Sequence, residues 1–134
     1  MSTATFIAAL VFRGIDLCPE AVTEHVGVNP TQSHRAGHRF VTSTGKEVTE
    51  RTGFWCLRVE AETSNAFEQL LSRLPSRQLS AIAGVEDAYL DLYIVKDYDR
   101  DTDSDLEFAF DRVACRRIAE LDLPVSITFG VAES

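Results

Sequence analysis

Hydrophobic and polar positions alternate along this chain in blocks, and the blocks predict its elements. Residues 6–12 are apolar on both alternating faces, the pattern of a strand well inside a sheet. Gly14 breaks the run. Cys18-Pro19-Glu20 then opens a helix, since proline fits the first helical position and a glutamate suits the positive end of the dipole. Ala21, Val22 and Val26 give that helix a short apolar face, Gly27 closes it with a left-handed cap, and Asn29-Pro30 forces a turn. Residues 34–52 lack periodicity. Ser43-Thr44-Gly45-Lys46 suits a polar turn between Phe40-Val41 and Val48, so an ordered loop or loose hairpin is expected.

Residues 53–61 form the second firm strand, with Trp55, Leu57, Val59 and Ala61 on the core face and Phe54, Cys56, Arg58 and Glu60 on the other. Asn65 and Glu68 resemble a capping box, and Phe67, Leu70, Leu71 and Leu74 follow at helical spacing until Pro75. A second short helix, with Leu79 and Ile82 inward, is expected to end at Gly84. Residues 88–96 alternate as a strand with one wet face, bearing Tyr89, Asp91 and Tyr93. Residues 106–108 suggest a brief strand. Residues 111–121 are expected as a helix with Phe110, Val113, Ala114, Ile118 and Leu121 on one side. Residues 123–131 close the chain as a strand with Val125, Ile127, Phe129 and Val131 inward. The order β-α-β-α-α-β-(β)-α-β predicts an α+β fold, a ferredoxin-like antiparallel sheet with helices packed on one face.

Composition narrows the class. The 134 residues are read as a single domain, residues 1–134, long enough to bury a core without staples. A formal net charge of -8 argues against phosphate-neutralising nucleic-acid binding and permits a basic partner. Cys18, Cys56 and Cys115 are too far apart for a zinc ribbon or disulfide framework. The apolar run of residues 6–12 is too short to span a bilayer and has no basic residues before it. These features predict a cytoplasmic protein, a monomer or homodimer, with no cofactor, no structural metal and no membrane partner.

Three stretches are candidates for chemistry. Asp97, Asp99, Asp101, Asp103 and Asp105, with Glu107 beyond, hold most of the chain's net charge of -8 against one arginine. An EF-hand register starting at Asp97 would place Thr102 where glycine belongs and Phe108 where the bidentate glutamate belongs, so the stretch is not an EF-hand. It reads as a solvated connection, a docking strip for a basic partner, or a looser cation site. His34, Arg35, His38 and Arg39 form a basic segment that suits either an anion or a surface of ordinary ion pairs, with Trp55 as a wall beneath it or simply a core residue. Cys56 near His34 or His38 would be a nucleophile to test, and Arg112, Arg116 and Arg117 surround Cys115 in sequence, but small apolar packing explains all three cysteines more simply. No serine triad, phosphate-binding glycine loop or metalloprotease signature occurs.

Asp16-Leu-Cys-Pro-Glu20, Val26-Gly-Val-Asn-Pro-Thr31, Ser33-His-Arg-Ala-Gly37, Gly53-Phe-Trp55 and Ile118-Ala-Glu-Leu121, in this order and spacing, resemble the bacterial family catalogued as domain of unknown function 4279. The resemblance covers nearly the whole chain. It implies a small intracellular bacterial protein and carries no catalytic residues over. By analogy with small acidic bacterial proteins that neutralise toxins, the expected function is a non-enzymatic interaction domain, an immunity protein that uses its Asp-rich strip. The alternative is a small-molecule or anion-binding domain, or a weak enzyme, built on the 34–40 loop.

Overall fold

Strand β1 (Ala4–Gly14) is the centre against which the larger elements are placed in the computed structural model, which describes residues 4–63, 65–98 and 108–133. The remaining elements are α1 (Pro19–Val26), β2 (Gln32–His34), β3 (Arg39–Val41), β4 (Glu47–Thr49), β5 (Gly53–Ala61), α2 (Ala66–Ser72), β6 (Asp87–Tyr98), α3 (Arg112–Leu121) and β7 (Val125–Glu133). The main sheet runs β2-β5-β1-β6-β7, and β3 and β4 form a separate two-stranded ribbon. β1 pairs antiparallel with β5 on one side and β6 on the other, so Leu10 lies between Leu57 and Leu90, and Phe12 between Trp55 and Ala88.

That register collects one apolar face. Phe6, Ala8, Leu10 and Phe12 join Trp55, Leu57 and Val59 and also Leu90, Leu92 and Ile94 in a single core. Val22 and Val26 of α1, Phe67, Leu70 and Leu71 of α2, and Ala114 and Leu121 of α3 pack into the same core, so the helices share one side of the sheet. Phe12 and Trp55 meet edge to face at 5.5 Å. Proline occupies the first turn of α1, and Gly27 closes it with φ 84. α3 starts at Asp111, whose carboxylate accepts the Ala114 N–H at 2.8 Å.

The fold is mixed α and β, as expected, but the sheet is not wholly antiparallel. β6 and β7 are hydrogen-bonded neighbours and run parallel, because α3 carries the chain back over the sheet between them. Leu79 and Ile82 are buried without forming a helix; the Leu79 N–H reaches the Leu121 carbonyl at 2.9 Å, so a tertiary contact holds this stretch. Asn65 does not complete a capping box: its side-chain oxygen accepts from Thr63 and Gln69 instead. The polar turn at 43–46 is present, closed by Thr42 N–H to Lys46 O at 2.8 Å, and Phe40 lies across from Val48. Of the brief strand expected at 106–108, only Phe108 lies within the described residues; it is outside any strand, its ring 6.4 Å from Phe6.

Ile127 and Phe129 lie in register with Leu92 and Ile94 on the helix side, but are 44% and 62% exposed. Among the described residues this strand is the sheet's edge, so alternation sets their direction without supplying a neighbouring strand to cover them. Of the residues expected inward on α3, Ala114 and Leu121 are buried and Val113 is exposed.

The end of β1 is joined to the loop before β6 by close backbone packing. A Cβ on Gly14 would run into the Gly84 carbonyl oxygen. Gly84 has φ +83, and a Cβ there would stand 2.6 Å from the Asp16 carbonyl oxygen.

Candidate functional site

The sheet face opposite the helices carries the side chains of the alternate positions. On β1 these are Ile7, Ala9, Val11 and Arg13. The pairing places them in rows: Glu60, Ile7 and Tyr93; Arg58, Ala9 and Asp91; Cys56, Val11 and Tyr89; Phe54, Arg13 and Asp87. β2 extends the last row, with His34 opposite Phe54.

From that row a column of flat groups runs to the ribbon. The Arg13 guanidinium lies 4.8 Å from the centroid of Phe54. Phe54 stacks on His34 at 5.6 Å, His34 on His38 at 5.7 Å, and His38 on Phe40 at 6.2 Å, with interplanar angles of 26°, 18° and 21°. The backbone aligns the two histidines. Gly37, at φ +89, turns the chain and donates to Glu50 O at 2.8 Å, and Glu50 N–H donates to His38 O at 2.8 Å. Glu50 also lies 3.7 Å from His34 Nε2. Among the described residues Arg13 forms no ion pair with a carboxylate, and its charge is held by the Phe54 ring.

Of the residues expected at this site, His34 and His38 come together. Arg35 turns to α1, where its Nη2 lies 2.8 Å from Glu20 Oε2 and 3.2 Å from Cys18 Sγ. Arg39 pairs with Glu47 at 3.7 Å along the ribbon. Trp55 is fully buried on the opposite face and donates its indole N–H to Thr23 Oγ1 at 3.0 Å, so it is no wall of this site. Arg13 and Phe54, which do belong to the column, were missed. Their only signal was position: Phe54 on the face away from Trp55, and Arg13 as the one charge ending an apolar strand.

The other half of the face is acidic and aromatic. Asp87, Tyr89 and Asp91 alternate on β6 and, with Pro124, Val125 and Ser126, line a groove of about 390 Å³. Burial pushes the Asp91 carboxyl above its ordinary range. The Tyr93 ring leans over Gly130, where a Cβ would stand 2.7 Å from its hydroxyl.

Cys56 is half-buried on this face, and burial pushes its thiol up, with Arg58 and Arg13 acting the other way. Cys18 is half-buried and Cys115 exposed, so none of the three is a fully buried packing residue. Arg117, which the sequence sets near Cys115, points instead to α2. Asp99, Asp101, Asp103, Asp105 and Glu107 lie outside the described residues, as does the Asp97 side chain; the Asp97 backbone pairs with Ala132. Among the described residues no group of three or more His, Cys, Asp and Glu is placed to hold a metal ion, and no helix is long and apolar enough to cross a membrane.

Fold and site together define a mixed α/β fold with helices on one side of its sheet and, on the other, an aromatic and charged face that no helix among the described residues covers. A family model described as a domain of unknown function (DUF4279) matches residues 3–131, and the chain belongs to that family. No curated protein and no solved structure matches it.

Proposed function

We propose that this chain is a non-catalytic interaction domain that engages a protein partner through the open face of its sheet. The observation that carries the reading is the column from Arg13 through Phe54, His34 and His38 to Phe40, which lies on the helix-free side and ends in a ring that is 39% exposed. Arginine and aromatic side chains anchor protein interfaces because they give large contact area for little lost side-chain freedom. A net charge of -8 favours a basic partner and speeds encounter with it. In its finer form the reading is that of a bacterial immunity protein, cytoplasmic and acting by blocking a basic toxin, with Asp97, Asp99, Asp101, Asp103 and Asp105 adding to the attraction.

The test is to measure affinity for the product encoded beside the gene, using Arg13→Glu and Phe40→Ser. Both side chains are exposed, so the fold should survive. Each change should weaken binding at least tenfold, about 1.4 kcal/mol. Unchanged affinity in both variants rejects the open face as the contact surface. Neutralising Asp99, Asp101, Asp103 and Asp105 separately reports the part played by the acidic strip through the salt dependence of association. The anion-binding reading draws support from the exposed Arg13 guanidinium at one end of a column that also holds two histidines. It predicts that a phosphate, nucleotide or carboxylate raises the melting temperature, and that Arg13→Glu abolishes the rise.

A further inference from the structure

The groove beside Asp91 has a chemistry of its own. Asp91 faces Ala9 across the β1–β6 pairing, and alanine offers it no polar atom. The next residue in the row, Arg58, is drawn to Glu60 at 3.8 Å on its own strand. On the other side β7 supplies Ser126 in register. Among the described residues no hydrogen bond or ion pair reaches the Asp91 carboxylate, and burial is the one influence that displaces its proton affinity. A half-buried carboxylate without a partner is a cost to the fold that an incoming cation would offset.

The surroundings select the kind of cation. Tyr89 flanks Asp91 along the strand, and Pro124 stands at the groove's other side, so a ring and a proline offer apolar surface that suits the methylene stem of a long basic side chain. Asp87 stands four residues from Asp91 on the same face, about 13 Å away along an extended strand, within reach of a second basic residue. We propose that this groove receives lysine or arginine side chains of a basic segment on the partner protein, with Asp91 as the anchoring carboxylate and Asp87 as the second. The assignment rests on the open face being the contact surface, and deepens it by naming the partner's chemistry.

The experiment is a backbone amide NMR titration of the full chain at physiological salt with three blocked pentapeptides, bearing lysines, arginines or glutamates at alternate positions. The lysine or arginine peptide should give saturable shifts confined to residues 87–91 and 124–126, and the glutamate peptide none. Asp91→Asn should weaken binding about tenfold while leaving the melting temperature at or above that of the parent, because it removes an unpartnered charge. Asp87→Asn, at an exposed position, should weaken it by a smaller factor. Glu24→Gln, which removes the same charge on the helix side, should leave it unchanged. Shifts elsewhere, non-saturable shifts, equal loss in Glu24→Gln, or full binding by both aspartate variants would overturn the assignment. If the groove fails while Arg13→Glu and Phe40→Ser still weaken partner binding at least tenfold, the open face stands without it; if those fail too, both readings fall.

Discussion

Replacing Arg117 with alanine should cost about 2–3 kcal/mol of stability. The guanidinium reaches from α3 to the end of α2, where Nη2 donates to Leu71 O and to Leu74 O, each at 2.7 Å, and Nη1 donates to Ser76 Oγ. α2 ends at Ser72, so these carbonyls lie at or past its last turn, where the helix itself cannot satisfy them all. A hydrogen bond to a charged donor contributes about 1.5–3 kcal/mol, and the Arg117 side chain is 25% exposed, which reduces its share. The pair with Glu120 is long at 4.0 Å and adds little. For a chain of this size each kcal/mol shifts the midpoint by roughly 4 °C, so the alanine variant should melt about 10 °C lower. Urea unfolding gives the free energy directly, provided the slope is unchanged. Arg116 is the internal control: it is exposed, and its alanine variant should stay within about 0.5 kcal/mol of the parent. Arg117→Lys should fall between them, because an ammonium keeps the charge but not the planar fork. If Arg117→Ala is no more destabilising than Arg116→Ala, the α2–α3 junction does not depend on this cap.

Gly84→Ala should destabilise by about 2 kcal/mol or more, combining a left-handed backbone with a Cβ 2.6 Å from the Asp16 carbonyl oxygen; thermal melting checks it, and a loss under about 0.5 kcal/mol would contradict the packing. Asp122 accepts hydrogen bonds from Gln78 and Ser80, which hold its carboxyl below the ordinary carboxylate range. Its stabilising contribution is therefore present above the unfolded-chain value and lost as pH falls from there through the lower folded value. Asp122→Asn, which tolerates the φ of 57, should flatten the acid limb of a stability–pH curve, and an unchanged limb would refute the role.

The strands were legible wherever one face is buried and the other wet. Trp55, Leu57 and Val59 alternate with Phe54, Cys56 and Arg58, and that alternation alone fixes which side is core. The inward direction of Leu79 and Ile82 was legible, but their backbone was not. No helix forms there; the Leu79 N–H meets the Leu121 carbonyl, a contact between residues 42 apart that no local pattern encodes. The direction of Ile127 and Phe129 could be read, but their exposure depends on β7 being an edge, which follows from the strand order. At the site, His34 and His38 share one basic segment of the sequence, whereas Arg13 and Phe54 reach them only through the β1–β5–β2 register. Arg35 and Arg39 were nominated by closeness in sequence, and the chain sends each to a carboxylate elsewhere.

The open face also keeps opposite charges apart where the register would allow them to meet. Arg13 lies directly across from Asp87, yet its guanidinium rests on Phe54. Arg58 and Asp91 are separated only by Ala9, yet Arg58 turns to Glu60, and among the described residues Asp91 has no hydrogen-bond or ion-pair partner under partial burial. Closing these pairs would exchange the Arg13–Phe54 and Arg58–Glu60 contacts for pairs reaching across the sheet. Leaving them open gives a surface with a cationic, ring-stacked half on β5 and β2 and a carboxylate–tyrosine half on β6, divided by the small side chains of Ala9 and Val11. Such a surface has a direction. If the open face is the contact surface we propose, a partner segment crossing β1 would set its acidic or aromatic end on the Arg13 column and its basic end in the Asp91 groove, and the reverse orientation would bring like charges together at both ends.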